Sequence, residues 1–281
     1  MKNNIYLCAF VSDDLNLSAK RFLKQSSYFY NKENTKLFYK EDLPPETYNK
    51  IKDIVKTVNR AYGFGIWKPQ IVLDYFNKIP DNSILQYADI GCHFNYKGLN
   101  RFNEYLELTN RHSMLTFKYD GSNEKFKNKE HSFQKYFEYE YTKVDLINYL
   151  NIEENSKIFN SPQIWSGSFF LKKNDFTLKI LENWVDVVQN INLLDKSTFV
   201  LNNHPKFLEN RWDQSAFSLI CKQQNVFSIS ASECEWAEFN NQRIWTHLEN
   251  YPILAKRDLK RNFIKRFINR QRRTLRRLFS I

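Results

Sequence analysis

The segment SILQYADIGCHFN, residues 83–95, is typical of a buried β-strand that runs directly into a loop. The apolar run ends at Asp89, and Gly91 follows two residues later. In open α/β sheets, ligands bind outside the carboxyl ends of the strands, so Asp89 stands where a site is expected. An aspartate there can hold a divalent cation that bridges phosphates, and Gly91 lets a ligand approach the backbone. The alternative is an aspartate that only caps a turn.

The rest of the sequence places this strand in an α/β domain. The patterns predict, in order, a strand over 4–11, a helix over 17–29, a strand over 36–39, a helix that ends near Gly63, a helix over 70–78, the strand that ends at Asp89, a helix over 143–151, a strand over 162–173, and helices over 175–191 and 212–224. In the first 90 residues, strands and helices alternate in the way that favours a sheet of parallel strands.

The net charge of +11 is concentrated at the C-terminus. The last 31 residues contain eleven Lys or Arg side chains and one acid, Asp258, whereas residues 1–250 carry 31 basic and 30 acidic side chains. Residues 1–250 are therefore almost neutral overall, which argues against nucleic-acid binding by the protein as a whole.

The cysteines and the N-terminus suggest an intracellular compartment. The four cysteines are scattered without a CxxC pair, so neither a zinc site nor a disulfide framework is indicated. The first apolar run, Ile5–Val11, is seven residues long, which is too short for a signal peptide. We therefore predict a cytoplasmic protein.

A second candidate segment is GFGIWKPQIVL, residues 63–73. Its two glycines lack the third glycine of a G-x-G-x-x-G nucleotide loop. Trp67 and Lys68, at the start of a helix, can offer a stacking face and an ammonium group for a phosphate. The alternative is a packing corner made by Trp67 and Pro69.

A third candidate segment is HPKFLENRWDQSAFSLI, residues 204–220. Asp213 and Gln214 lie at the start of a predicted helix, where they can form hydrogen bonds with sugar hydroxyls or act as a base. Asp213 can also be a simple N-cap, and His204 can be structural. The sequence has no G-x-S-x-G elbow, H-E-x-x-H motif or Walker loop, which disfavours common hydrolases and P-loop enzymes.

Taken together, four segments resemble bacterial glycosyltransferase-A-type sugar transferases of surface-polysaccharide clusters. Those proteins show a G-x-G-x-W-x-W-K-P segment, a Y-x-D-A-G-C strand end, a Q-x-x-x-G-x-F strand and an H-D-Q-S helix. The matching segments here, in the same order, are GFGIWKPQIVLDYF, SILQYADIGCHFN, SPQIWSGSFFLKKND and ENRWDQSAFSLICK. The resemblance covers roughly residues 5–225, and the order of the segments is more specific than any one of them.

The resemblance implies a nucleotide-sugar-binding sheet and the transfer of a sugar to a hydroxyl group. Asp89 matches the first carboxylate of a metal-binding D-x-D motif, and Trp67 and Lys68 match the donor-side segment. Gly167 matches a glycine beneath the sugar pocket, and the D-Q pair corresponds to Asp213 and Gln214.

The sequence departs from the family pattern at three positions. Gly91 stands in place of the second aspartate, Ile66 in place of an aromatic residue, and Trp212 in place of the usual histidine. Metal binding would then use Asp89 together with diphosphate and water. If the reaction inverts configuration, the candidate bases are Asp213 and residues of the 120–140 loop, including Asp120 and Glu130.

The basic tail has the pattern of an amphipathic helix. Leu259, Phe263, Phe267, Leu275 and Leu278 fall on one stripe, and Lys and Arg occupy most of the remaining positions. Such a helix is typical of a membrane interface, where each basic residue near an anionic leaflet contributes about 1 kcal/mol. The alternatives are an arm that binds RNA or DNA and a helix that docks on the protein's own acidic surface.

We therefore predict a single glycosyltransferase-A-like α/β domain over residues 1–251, with a mostly parallel central sheet. A basic amphipathic helix over 252–281 would follow it and bind an anionic membrane through residues 254–279. The predicted hexosyltransferase would use Mn²⁺ or Mg²⁺ to move a sugar from a UDP-sugar to a lipid-linked or lipooligosaccharide glycan on the inner face of the membrane, with no nucleic-acid partner. The alternative is a non-catalytic protein that binds nucleic acid or a partner through its tail.

Overall fold

The computed structural model describes residues 4–57, 61–123, 130–153, 156–194 and 203–256. Helices and strands alternate along most of this chain. The helices are α1 (Asn16–Ser26), α2 (Pro45–Thr57), α3 (Ala61–Phe64), α4 (Trp67–Lys78), α5 (Leu99–His112), α6 (Glu138–Tyr141), α7 (Val144–Tyr149), α8 (Asp175–Gln189) and α9 (Asp213–Gln223). The strands are β1 (Ile5–Phe10), β2 (Thr35–Phe38), β3 (Ile84–Ala88), β4 (His93–Phe94), β5 (Met114–Lys118), β6 (Ile164–Lys172), β7 (Ser228–Ser230), β8 (Ala237–Phe239), β9 (Gln242–Ile244) and β10 (Ile253–Leu254).

Six of these strands form a central sheet in the order β2-β1-β3-β6-β5-β7. Strand β6 runs antiparallel to its neighbours β3 and β5, and the other neighbouring strands pair in parallel. Because β6 runs the opposite way, its first residues lie beside the carboxyl ends of β3 and β5: Ser168 is opposite Ala88, and Ile164 is opposite Lys118. We call this side of the sheet the carboxyl edge.

Both faces of the sheet are covered, because side chains alternate between two hydrophobic clusters. In β1, Cys8 and Phe10 face the cluster that α2, α4, α8 and α9 complete, whereas Leu7 and Ala9 face the cluster beneath α1 and α5. Burial on both faces explains why these strands are nearly continuous apolar runs, as expected for parallel strands in α/β proteins.

The prediction of an α/β domain with a mostly parallel central sheet is confirmed. The sequence patterns did not predict helices α5 and α6 or strands β4, β5 and β7–β10. The buried residues of α5 are Phe102, Tyr105, Leu106 and Thr109, whose spacing is that of one helical face. Two of the four carry hydroxyl groups, which weakened the apolar signal.

Most of the predicted basic helix, residues 257–281, lies outside the described residues. In the part that is described, Ile253–Leu254 form β10 and pair with β4, and the backbone nitrogen of Ala255 donates to the carbonyl of Cys234 at 2.8 Å. The domain boundary at Pro252 and the helix beyond it stay predictions. None of the described helices is both long and apolar enough to span a bilayer.

Candidate active site

The backbone before α4 brings Trp67 and Lys68 to the carboxyl edge. Four successive residues, Tyr62 to Gly65, have positive φ angles of 44°, 76°, 59° and 72°. This left-handed run ends at Gly65, because Ile66 has a right-handed helical φ of −59°. The ring of Trp67 then stacks on Phe10, at the end of β1, with ring centroids 4.2 Å apart. Trp67 is buried, and its indole nitrogen donates to the carbonyl of Tyr62 at 3.0 Å, so it works here as a packing residue.

Gly65 is required by a close approach as well as by its positive φ. A Cβ atom at this position would lie 2.5 Å from Oδ1 of Asp213. The second glycine of the GFG segment therefore allows the loop before α4 to pass directly against an acidic side chain that is about 150 positions away in the sequence.

The Lys68 ammonium lies at the centre of a charged cluster. It is 2.9 Å from Oδ2 of Asp213, 3.2 Å from Oγ of Ser166 and 3.4 Å from Oδ1 of Asp89. We call these four residues the Lys68 cluster. Burial alone would lower the pKa of Lys68, but the charges of Asp213 and Asp89 outweigh it, so its pKa is raised and the group stays positive.

Asp89 is the exposed member of the cluster. Its side chain is 38% accessible, compared with 7% for both Lys68 and Asp213. Its backbone nitrogen donates to the carbonyl of Gly167 at 2.8 Å, and its Oδ1 accepts a hydrogen bond from the hydroxyl of Tyr87 at 2.6 Å. Burial raises the pKa of Tyr87 well above its usual value, so the phenol keeps the proton that it donates.

Asp213 is fixed by groups from three other elements. It accepts hydrogen bonds from Lys68 and from Oγ of Ser166, the latter at 3.0 Å, and its backbone carbonyl accepts one from the indole of Trp184 at 3.0 Å. Burial raises the pKa of the Asp213 carboxyl, and the charge of Lys68 opposes that rise. Trp212, which precedes it, has φ 49° and ψ −121°, a strained conformation that turns the chain into α9.

The remaining predicted residues lie around this cluster with fewer direct contacts. Gly167 supplies the carbonyl that holds Asp89, and a Cβ there would overlap the ring of Trp165. Gly91 lies in the turn in which the amide of Cys92 donates to the carbonyl of Asp89 at 2.8 Å. The side-chain amide of Gln214 donates to Gln163 at 2.6 Å, and none of its described hydrogen bonds reaches the Lys68 cluster.

The other candidate bases lie apart from the Lys68 cluster. Asp120 accepts hydrogen bonds from the hydroxyl of Ser230 at 2.6 Å and from the backbone nitrogen of Ser122 at 3.1 Å. Glu130 is exposed. No described contact joins either residue to Asp89 or Lys68.

Sequence reasoning missed Ser166 and Tyr87. Strand alternation could have found Tyr87, which lies two residues before Asp89 and therefore on the same side of the strand. That Ser166 meets Asp213 depends on the packing of α9 against β6, which local sequence does not encode.

The Lys68 cluster offers a divalent cation one accessible carboxylate. Among the described residues, no group of three or more His, Cys, Asp or Glu side chains is arranged to hold a metal. Asp89 offers one accessible carboxylate, whereas Asp213 is buried against Lys68. Magnesium is often held by one or two carboxylates, water and substrate phosphates, so Asp89 fits as a single ligand of that kind.

A cavity of about 390 Å³ lies at the opposite edge of the sheet. Among the described residues, its lining includes Asn4, Asn82, Asn103, Glu107 and Asn110 and has no lysine or arginine. The interacting charged and strained groups described above are at the carboxyl edge, which is where α/β sheets bind ligands, so this edge is the candidate active site.

No family model and no curated protein matches this sequence. The fold is similar to that of a glycosyltransferase involved in the glycosylation of the major capsid of PBCV-1, with 12% identity and a TM-score of 0.40 over 82% of this chain and 85% of that one. It is also similar to mouse xyloside xylosyltransferase 1 in its apo form, with 10% identity and a TM-score of 0.42 over 82% of this chain and 87% of that one. Similarity at this level does not specify an activity.

Removing the positive charge from the cluster should destabilise the fold in a pH-dependent way. We expect Lys68→Met to lower the free energy of unfolding at pH 7 by about 3–5 kcal/mol, because two carboxylates would remain without their ammonium. Burial already raises the pKa of Asp213, and losing Lys68 raises it further, so the folded variant binds protons more strongly than the unfolded chain. The deficit should therefore shrink from pH 7 to pH 5 in urea titrations.

The control for this experiment is Lys78→Met. Lys78 makes an exposed i,i+4 ion pair with Asp74 at 2.8 Å, and its loss should change the free energy of unfolding by less than about 0.5 kcal/mol. An equally small effect of Lys68→Met at pH 7 would contradict the buried ion pair.

Gly65→Ala tests the close approach of the loop to Asp213. Its matched control is Gly121→Ala, because Gly121 has a similar φ of 70° but its Cβ would meet only the side chain of Lys135, at 3.1 Å. Both variants should lose about 1–3 kcal/mol from the left-handed backbone, and Gly65→Ala should lose more because the Asp213 carboxylate must move. Equal losses in chemical denaturation would show that the contact with Asp213 is unimportant.

Proposed function

We propose that this protein is a glycosyltransferase that uses a nucleotide-sugar donor. The observation that carries the proposal is the convergence of the four separated segments on one charged cluster. Lys68 comes from the first segment, Asp89 from the second, Ser166 from the third and Asp213 from the fourth. Their meeting at the carboxyl edge supports the resemblance that each segment suggests only weakly by itself.

In the proposed reaction, an acceptor hydroxyl attacks the anomeric carbon of the donor sugar. A new carbon–oxygen bond forms, the bond to the phosphate oxygen breaks, and the nucleoside diphosphate leaves with the electron pair. The hydroxyl proton passes to a base. Negative charge grows on the leaving diphosphate, so fixed positive charge at the carboxyl edge favours the reaction.

We assign the donor contact to Asp89, because it is the accessible carboxylate of the cluster. If a divalent cation is bound, Asp89 would hold it, and the cation would supply charge for the diphosphate. Lys68 and Ser166 orient Asp89 and Asp213. The assignments of Gly91 and Gly167 to donor binding, and of Asp213 and Gln214 to catalysis, remain part of this proposal; the 5% exposure of Asp213 favours a positioning role.

The proposed acceptor is a lipid-linked or lipooligosaccharide glycan on the inner face of the cell membrane, and the proposed donor is a UDP-sugar that carries a hexose. The support is the pattern of residues 254–279, which is that of a basic interfacial helix. Such a helix would keep a cytoplasmic enzyme beside an acceptor that is carried on a lipid.

Calorimetry on the full chain with UDP, GDP and CMP, with and without Mn²⁺, tests the donor site. We expect UDP to bind most tightly and Asp89→Asn to weaken that binding about tenfold or more, because the variant keeps the size of the side chain but loses its charge. The control is Asp74→Asn, in a half-exposed surface ion pair on α4. Failure of all three nucleotides to bind would overturn the proposal.

The eleven basic side chains after residue 250 keep a second candidate function open, that of a protein that binds nucleic acid or a partner through its tail. Replacing Arg272, Arg273, Arg276 and Arg277 by Glu separates the two. On the transferase proposal, this variant should lose binding to vesicles that contain phosphatidylglycerol and should bind UDP as before. If the wild type instead binds RNA but neither vesicles nor UDP, the second candidate is favoured.

A further inference from the structure

Arg211 lies among three tyrosine rings at the carboxyl edge. Its guanidinium carbon is 3.9 Å from the ring centre of Tyr141, 4.1 Å from that of Tyr136 and 5.7 Å from that of Tyr119. We call these three rings the tyrosine box. Contacts of this kind attract the cation to the ring faces and hold it in place without cancelling its charge.

No carboxylate in the described part of the chain forms an ion pair with Arg211. The acids around the box act on its tyrosines: Glu235 accepts a hydrogen bond from the hydroxyl of Tyr119 at 3.0 Å, and the charges of Glu140 and Glu209 act on Tyr141. The tyrosines do not supply a negative charge either. Burial raises the pKa of Tyr119 well above its usual value and that of Tyr136 to a lesser extent, and it raises the pKa of Tyr141 to about 12.

The position of Arg211 is fixed by its backbone. Its amide nitrogen lies 2.9 Å from Oγ of Ser215 and 3.2 Å from the carbonyl of Tyr141, and donates to both. The guanidinium is therefore held before any ligand arrives. A half-buried charge whose direct contacts are neutral rings is costly, and an anion that paired with it would lower that cost.

The tyrosine box lies beside the Lys68 cluster. Tyr119 follows β5, and its backbone nitrogen donates to the carbonyl of Gln163 at 2.9 Å. Ser166 is three residues further along the chain, which is about 10 Å along a strand. Arg211 is also only two residues before Asp213.

We propose that Arg211 and its tyrosine box form a second subsite, which binds a phosphate or carboxylate group of the substrate. The inference rests on the proposed function and deepens it. A guanidinium presents a planar fork of donors that matches both kinds of anion. Tyr136 accepts a side-chain hydrogen bond from Arg211, and we assign the remaining donors at the edge of the guanidinium to such a ligand. The anion comes either from the diphosphate of the donor or from an acidic sugar of the acceptor.

The test compares Arg211→Ala and Arg211→Lys with the wild-type full chain by calorimetry. The first arm measures the binding of UDP. The second arm measures the binding of glucuronate, glucose 6-phosphate and glucose in the presence of UDP. The control variant is Arg111→Ala, an exposed arginine at the end of α5 and hence at the other edge of the sheet.

We expect Arg211→Ala to weaken the binding measured in one of the two arms about tenfold or more, and Arg111→Ala to leave the binding in both arms unchanged. Loss of UDP binding assigns the subsite to the donor. Loss of glucuronate or glucose 6-phosphate binding, with UDP and glucose unchanged, assigns it to an acidic acceptor. Arg211→Lys keeps the charge, so its affinity should lie between that of the wild type and that of Arg211→Ala. If Arg211→Ala fails to fold, Arg211→Lys alone provides the test. Unchanged binding of UDP and of both acidic sugars in a folded Arg211 variant would overturn the proposal.

Inorganic pyrophosphate separates this inference from the proposed function. If no nucleotide binds but pyrophosphate binds and Arg211→Ala weakens it, the anion subsite stands and the transferase does not. If UDP binds in an Asp89-dependent way but no probe responds to Arg211, the transferase stands and the subsite does not.

Discussion

The buried contact between Lys68 and Asp213 determines the organisation of the carboxyl edge. It joins α4 to the head of α9, with Ser166 of β6 and Asp89 of β3 completing the set. Removing an ammonium and a carboxylate from water costs several kcal/mol each, so the pair is favourable only when its hydrogen bonds are well placed. The unusual backbone conformations before Lys68 and before Asp213 allow the two groups to reach this geometry. Gly65 admits the carboxylate of Asp213, and Trp212 turns the chain so that Asp213 points into the cluster.

The reversed direction of β6 explains how so many polar groups reach the same edge. Its first residues lie beside the carboxyl ends of both β3 and β5, so Gly167 contacts Asp89 after β3 while Gln163 contacts Tyr119 after β5. The Lys68 cluster and the tyrosine box therefore lie side by side. One carries two carboxylates for one ammonium, and the other carries a guanidinium among neutral rings. This opposite charge character is suited to a substrate that has both hydroxyl and anionic groups.

Part of the fold could be predicted because strands β1, β2, β3 and β6 and most of the helices carry strong local signals. The run from Ile84 to Ala88 ends in Asp89, as the sequence suggested, and α8 and α9 lie where amphipathic patterns placed them. Helix α5 was missed because tyrosine and threonine fill part of its buried face. Of the site residues, the resemblance brought forward Lys68, Asp89 and Asp213, but local sequence gave no reason for Ser166 to join them.

By itself, the sequence determined that strands and helices alternate, that an aspartate ends a buried strand, and that the excess positive charge lies after residue 250. Hydrophobic periodicity and charge are local properties, so they can be recognised without knowledge of the fold. Only the tertiary structure decided the roles of Lys68 and Arg211. Lys68, which alone looked like a phosphate ligand, lies buried between two carboxylates, and Arg211 lies among tyrosines from two stretches of the chain, residue 119 and residues 136–141. The physical reason is that the charge state and accessibility of a side chain depend on neighbours that are distant in sequence.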